Sequence, residues 1–158
     1  MSLFILFTST SFAQIVSEST LWEAKQIDNI YLVRIKQNSN LFEALNDFTT
    51  AKDINNAIVQ GSGDLSNIIL NNEFSAKTKK INSISNVTSL TGNLSLVNGI
   101  RTWDLNATLS LQNLKAFTGQ IINAKVNDRV ELYIYEINQK IHRTSDSLQT
   151  KAVFDFTK

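Results

Sequence analysis

The chain of 158 residues contains no cysteine, no proline and only one histidine. It therefore has no disulfide, no thiolate metal site and no cysteine nucleophile. Fifteen basic and fourteen acidic residues give a formal charge of +1, which argues against the broadly basic surface that nucleic-acid binding needs. The local cluster of Lys77, Lys79 and Lys80 is interpreted as the solvated side of a loop. No apolar run is long enough to cross a bilayer as a helix.

The first thirteen residues have the composition of a signal peptide. An apolar start is followed by small polar residues, and Ser11-Phe12-Ala13 supplies small side chains at the two positions that a signal peptidase inspects. Cleavage after Ala13 would make Gln14 the first mature residue, which predicts a secreted or periplasmic protein. The basic residues expected at the start are missing, since the first is Lys25. An apolar strand or a disordered end is the alternative.

Length and composition predict a single folded domain. Residues 1–13 are assigned to the signal peptide and residues 14–27 to a leader. Residues 28–137 are assigned to the domain, and residues 138–158 to a polar linker with a terminal strand at 152–156.

One helix is predicted among many strands. Asn40 stands three residues before Glu43, which is a capping-box spacing, and apolar residues recur at helical intervals over 40–52. The segment 71–82 is predicted to be a hairpin or an exposed loop. Strands are predicted at 30–35, 56–60, 65–70, 87–90, 93–97, 102–111, 116–124 and 129–137. The predicted fold class is α/β, a single domain with a mostly antiparallel sheet and a helix packed on it.

Glycines are few, and each is interpreted as a structural position. Gly61 and Gly63 are predicted to form a tight turn after the strand 56–60, because no helix follows that could complete a phosphate-binding loop. Asn98-Gly99 is a strong tight-turn dipeptide between two strands. Gly92 and Gly119 are also assigned to structural turns.

Polar and apolar residues alternate along the segment Asp104–Leu109. Successive side chains of a strand point to opposite faces. Asp104, Asn106 and Thr108 therefore share one face and the apolar residues share the other. As an isolated pattern, this is typical of simple solvent exposure.

The order and spacing of several short motifs resemble the PPC (DUF296) domain, a domain of plants and prokaryotes best known attached to AT-hooks. The motifs are Gly61-Ser62-Gly63, Ser89-Leu90-Thr91-Gly92, Trp103-Asp104-Leu105-Asn106 and Thr118-Gly119-Gln120, and the resemblance covers roughly 29–137. It implies a PPC-like fold and a divergent bacterial member without an AT-hook, since no Arg-Gly-Arg tripeptide occurs.

Members of that family often carry histidines where this sequence has Asp104, Asn106 and Gln120. One carboxylate and two amides form a poor zinc site and at best a partial calcium site. No metal, cofactor or catalytic residue is therefore assigned. With the resemblance, these three residues form either a polar cleft that hydrogen-bonds a small ligand or a vestige of the family's site that binds no ligand. Trp103 is placed beside them as a packing residue or stacking platform. Glu131 is assigned to an interface or to the cleft.

Three functions follow as hypotheses. The first is an exported module that assembles as a homotrimer, as family members do, and binds a partner or a small polar ligand without chemistry. The second is a metal- or metabolite-dependent enzyme that uses Asp104 in the cleft, for which no acid partner is visible. The third is a DNA-associated protein by analogy with plant relatives, which the missing AT-hook argues against.

Overall fold

The computed structural model describes residues 16–72, 75–139, 141–144 and 153–154. The predicted signal peptide at 1–13 lies outside these residues. The described part of the chain forms one helix and ten strands: β1 (Val16–Glu18), β2 (Trp22–Ile27), β3 (Ile30–Ile35), α1 (Leu41–Ala51), β4 (Ala57–Asn72), β5 (Lys77–Ile81), β6 (Ser85–Val97), β7 (Ile100–Ser110), β8 (Ala116–Glu136), β9 (His142–Thr144) and β10 (Val153–Phe154). The predicted single domain with a mostly antiparallel sheet and one helix is confirmed.

The strands form one sheet in the order β1-β2-β3-β8-β4-β6-β9-β10, with β5 paired to β4. All described pairs are antiparallel except β6 with β9. β7 pairs with both β6 and β8, and these two strands also pair with β4. Strands β4, β8, β7 and β6 therefore make a closed ring of pairings, while β1, β2 and β3 extend the sheet beyond it.

Helix α1 begins where the capping residue predicts. The Asn40 side-chain oxygen accepts hydrogen bonds from the backbone N–H groups of Phe42 and Glu43, which satisfies two donors that have no partner inside the helix. The apolar side of the helix is buried, and Phe48 packs its ring edge-on against Trp22 and Tyr31, with centroids 5.1 and 5.4 Å apart. The helix thus covers one face of the sheet at β2 and β3.

The predicted leader at 14–27 is wrong in part, because β1 and β2 lie within it. Trp22 and Ala24 are buried on the helix side, and the charged residues Glu23 and Lys25 alternate with them. This alternation has the period of two that is typical of a strand with one buried face, but it is too short to identify a strand from the sequence.

The glycines lie inside strands rather than at structural turns, which corrects the predictions for all four. Gly61 and Gly63 sit at a β-bulge within β4, and Gly92 and Gly119 lie within β6 and β8. A Cβ on Gly61 would overlap the carbonyl oxygen of Glu131, and a Cβ on Gly92 would overlap that of Asp104. Glycine is needed here because neighbouring strands approach too closely for any side chain.

The other predicted strand boundaries differ less from those of the structure. The predicted strands 87–90 and 93–97 are one strand, β6, and 116–124 and 129–137 join in β8. The hairpin alternative for 71–82 is confirmed, since β4 and β5 pair with each other. At the Asn98-Gly99 turn both residues have positive φ, 51° and 81°, as a type I′ turn requires.

The predicted polar linker also contains regular structure. It includes β9, which pairs with β10, and β10 lies within the terminal strand predicted at 152–156.

Candidate functional site

Strand β7 presents its polar residues on one face, as the alternation predicts. Leu105, Ala107 and Leu109 are buried in the core. Asp104 and Asn106 point the other way, toward the sheet face that α1 does not cover. The strand therefore separates a packed face from a polar one.

The register of β7 on β8 adds the third predicted residue. Asn106 lies directly opposite Gln120, so their side chains share the outward face. Gln120 Nε2 donates a hydrogen bond of 3.2 Å to Asp104 Oδ1, and Asn106 Nδ2 lies 3.4 Å from the same oxygen. The structure thus brings Asp104, Asn106 and Gln120 together around one carboxylate oxygen.

A fourth residue, Asn93 on β6, was missed by the sequence analysis. It is the cross-strand partner of Asp104, and its buried Oδ1 atom has no hydrogen-bond partner among the described residues. An unsatisfied buried acceptor costs free energy, which ligand binding can recover. The only sequence signal was a polar residue at an outward position, and its pairing with Asp104 required the register. We call Asn93, Asp104, Asn106 and Gln120 the amide cluster.

Trp103 does not belong to the amide cluster. As the neighbour of Asp104 on a strand it points to the opposite face, where it packs against the core. Its indole Nε1–H donates a 2.7 Å hydrogen bond to Asn46 Oδ1 on α1. The prediction that Trp103 lines the ligand cleft is therefore wrong, whereas its alternative role in packing fits this position.

Glu131 lies on the same uncovered face but in a different group. Arg34 donates hydrogen bonds from Nε and Nη2 to Glu131 Oε1, both 3.1 Å, and from Nη1 to Glu23 Oε1 at 2.6 Å. Arg129 lies 3.7 Å from the same Glu131 oxygen. The hydrogen bonds to Glu131 and then Glu23 raise the pKa of Arg34. These side chains are about half exposed, so the pairs contribute little stability by themselves.

An apolar surface lies between the amide cluster and these ion pairs. A row of cross-strand partners runs over β2, β3, β8 and β4 and consists of Ile27, Ile30, Tyr135 and Ile58. In the next row, Leu32 lies opposite Tyr133. Ile58 is 47% exposed and Tyr133 is 52% exposed. We call these six residues the outer patch. It reaches the amide cluster directly, since Ile58 is also the cross-strand partner of Asn93.

The outer patch and the ion pairs border an open groove. It has a volume of about 570 Å³, and its lining includes Val16, Leu32, Arg34, Glu131 and Tyr133. Glu131 thus lies in a groove, although not in the amide cluster.

The chemistry of the amide cluster is that of hydrogen bonding. The described residues contain no group of three or more His, Cys, Asp or Glu side chains that could hold a metal ion. One carboxylate surrounded by amides offers both donors and acceptors to a neutral polar ligand. It offers neither the imidazole and thiolate ligands that zinc prefers nor the charge of a strong calcium site.

Comparison with known proteins identifies the fold. A model of the Plants and Prokaryotes Conserved (PCC) domain matches residues 23–138. Comparison with curated protein sequences finds no match. None of the helices described here is long and apolar enough to span a membrane.

Three solved structures are similar over most of the chain. A candidate DNA-binding protein of Bacteroides thetaiotaomicron has a TM-score of 0.82 at 24% identity, over 88% of this chain and all of that one. A plant- and prokaryote-conserved (PPC) protein of Pyrococcus horikoshii has a TM-score of 0.73 at 22% identity, over 90% and 99%. A metal-containing protein of Archaeoglobus fulgidus has a TM-score of 0.70 at 15% identity, over 82% and 94%. At these identities the likeness establishes the fold.

Proposed function

Because the chain belongs to the Plants and Prokaryotes Conserved (PCC, or PPC) domain family, we propose that it is an exported homotrimeric module that binds a small polar ligand without catalysis. One observation carries this proposal. The amide cluster forms on the sheet face that α1 does not cover, at the margin of an exposed apolar surface. A polar site beside a surface suited to association is what a binding module requires.

The ligand is proposed to be polar and to carry both donors and acceptors. The primary amides of Asn106 and Gln120 each have two N–H donors and one carbonyl acceptor, and one N–H group of each points toward Asp104 Oδ1. Asn93 Oδ1 accepts no hydrogen bond from the part of the chain that the structure describes. A ligand donor that reached this oxygen would satisfy a buried group, which favours binding.

The homotrimer is proposed to form through the outer patch. Ile58 and Tyr133 are about half exposed although they lie in the middle of a sheet, and a contiguous apolar surface is typical of an interaction site. The resemblance to a family whose members form trimers supports this assembly. A neighbouring subunit on the outer patch would lie next to the amide cluster, because Ile58 and Asn93 are cross-strand partners.

Mass measurement in solution tests the assembly. For residues 14–158 we expect the mass of a trimer, and for the double variant Ile58→Ser/Tyr133→Ser the mass of a monomer. Ile100→Ser is the matched control, since Ile100 is also exposed but lies at the Asn98-Gly99 turn. A monomer at every concentration of the unaltered protein would contradict the assembly.

Binding tests the ligand site independently of assembly. Thermal-shift screening with polar metabolites should find a ligand whose stabilisation is lost in Asp104→Asn and in Asn106→Ala. Trp103→Phe should keep it, because Trp103 lies on the opposite face. Ligand-induced stabilisation that is equal in Asp104→Asn and the unaltered protein would place the ligand elsewhere. Turnover of a bound metabolite that Asp104→Asn abolishes would favour the enzyme alternative instead.

Export is supported by sequence alone. Ser11-Phe12-Ala13 fits a cleavage site, and the proposal predicts a mature protein that begins at Gln14. Mass spectrometry of the protein recovered from its native cell tests this. Retention of residues 1–13 would contradict it.

A DNA-associated role is the second candidate. The structural relative from Bacteroides thetaiotaomicron is described as a candidate DNA-binding protein. Since the formal charge is only +1 and no Arg-Gly-Arg tripeptide occurs, we expect no sequence-dependent retardation of duplex DNA at physiological ionic strength. Retardation whose strength depends on the DNA sequence would favour this candidate over the small ligand.

A further inference from the structure

The loop between β7 and β8 exposes a leucine on an unfavourable backbone. Leu114 is 87% exposed and has a φ of 62°, a left-handed conformation that glycine and asparagine tolerate far better. The loop is well closed: Leu114 N–H donates to Leu111 C=O, Leu111 N–H donates to Lys115 C=O, both 2.9 Å, and Asn113 Oδ1 accepts from Lys115 N–H at 3.1 Å. The loop is therefore held by hydrogen bonds that do not depend on the leucine side chain, and exposure of that side chain gives no burial energy to folding.

A second aliphatic residue lies at the same end of the molecule. Ile84, in the loop between β5 and β6, is 50% exposed. The loops containing Ser83, Ile84 and Leu111–Asn113 line one groove of about 300 Å³, so the two loops are neighbours. Two exposed aliphatic side chains are thus presented by adjacent loops.

Lysines accompany these residues. Lys77, Lys79 and Lys80 on β5 are exposed, and so is Lys115 in the leucine loop. Lys79 Nζ lies 4.6 Å from the centre of the Phe117 ring at the start of β8, which places β5 beside that loop. We call Lys77, Lys79, Lys80, Ile84, Leu114 and Lys115 the basic end. Lysines on an edge strand also prevent edge-to-edge pairing. By themselves they therefore do not indicate a binding surface, and the exposed leucine is needed as well.

The charges of the chain are segregated along the sequence. Residues 65–127 contain six basic and two acidic residues, whereas the rest of the chain contains nine basic and twelve acidic ones. The formal charge of +1 therefore conceals a basic region, and the basic end lies within it. Such asymmetry is typical of proteins that contact an anionic surface.

We propose that the basic end docks on an anionic lipid surface, with Leu114 entering the lipid and the lysines lying at the headgroups. Exposed aliphatic side chains surrounded by lysines match the two layers of a membrane interface. Nucleic acid fits less well. The ring of Phe117 is partly buried and lies under Lys79, so it is not a stacking platform for bases, and a phosphate backbone offers no site for Leu114.

Sedimentation with lipid vesicles tests this surface on the full chain. The protein should partition into vesicles that contain phosphatidylglycerol and not into pure phosphatidylcholine, and added salt should weaken the binding. Leu114→Asn should weaken partition about tenfold, because it removes the inserted leucine. The double variant Lys77→Gln/Lys80→Gln should weaken it about thirtyfold.

Matched variants separate this surface from general effects of charge and folding. Ile100→Asn removes an exposed isoleucine at the other end of β7, and Lys25→Gln/Lys52→Gln removes two charges elsewhere; both should bind vesicles like the unaltered protein. Leu114→Asn should unfold at the same temperature or higher, since asparagine tolerates the left-handed backbone. No preference for phosphatidylglycerol overturns the proposal. Equal vesicle binding by Leu114→Asn and the unaltered protein also overturns it. So does duplex DNA that binds the protein as tightly as the vesicles do and prevents vesicle binding, because that would indicate a nucleic-acid surface.

Discussion

The two faces of the sheet at β3, β4 and β8 differ in almost every property. On the face that α1 covers, Val33, Leu132 and Val59 are at most 2% exposed and pack with Phe48. The intervening residues on the other face form the outer patch, with Ile58 and Tyr133 about half exposed. The same strands thus build a core on one side and a partly exposed apolar surface on the other.

This difference separates the residues that drive folding from those to which the proposed function is assigned. Burial of the covered face supplies the driving force for folding, and any chain with this pattern gains it. The uncovered face carries the amide cluster, the outer patch and the ion pairs, none of which the core requires. Variants on the two faces should therefore affect different measurements.

The largest expected effect is a loss of stability on the covered face. Phe48→Ala should lower the free energy of unfolding by about 3–5 kcal/mol, because it removes the ring packed against Trp22 and Tyr31 and leaves a cavity. Tyr133→Ala should change the stability of an isolated subunit by only about 0.5 kcal/mol. Urea denaturation at low protein concentration measures both. Similar losses for the two variants would mean that the faces do not differ energetically.

A smaller effect is expected where neighbouring strands approach closely. Gly92→Ala should cost about 1–3 kcal/mol, since the added Cβ would overlap the Asp104 carbonyl oxygen. The adjacent, outward-facing Thr91→Ala should stay within about 0.5 kcal/mol of the unaltered protein. Thermal unfolding of the two variants side by side tests this. Equal melting temperatures would show that the strands move apart at little cost.

Sequence reasoning succeeded where the relevant interaction is local. The alternation through Asp104–Leu109 correctly assigned both faces of β7, and the Asn40 cap correctly placed the start of α1. Both depend on residues within a few positions of each other. The convergence of Gln120 with Asp104 came from the family resemblance, because nothing within either segment fixes their pairing.

The failures have non-local causes. The glycines were interpreted as turns because a glycine in a sequence signals a break, whereas here the neighbouring strand requires its lack of a side chain. Asn93 was missed because its partners, Ile58 and Asp104, lie on two other strands. Trp103 was placed with its neighbour Asp104, although adjacent strand residues point to opposite faces. Lys77, Lys79 and Lys80 are exposed, as the sequence indicated, but they lie on β5 and not in a loop.

The smallest expected effect is a pH dependence of stability that comes from the Tyr31 hydroxyl on the covered face. Burial raises the pKa of Tyr31, as do the charge of Glu136 and the hydrogen bond that Tyr31 Oη donates to it at 3.4 Å. The folded protein therefore keeps this proton at a pH where the unfolded chain, with an ordinary tyrosine pKa of about 10, has begun to lose it. The contribution is fully present below about pH 10 and is lost as the pH rises through the folded pKa. Stability should fall there by less than about 1.4 kcal/mol per pH unit, the limit for one proton.

Comparison with Tyr31→Phe isolates this contribution from the other groups that titrate in alkali. Urea unfolding of both proteins should give a shallower fall in stability above about pH 10 for Tyr31→Phe, whereas at neutral pH neither protein should respond to small changes of pH through this group. If the two proteins lost stability equally above about pH 10, burial of Tyr31 would have no electrostatic cost to ionisation. The covered face would then be more open to water than the packing of Tyr31 against Phe48 indicates, and the contrast between the two faces would be weaker than their exposure suggests.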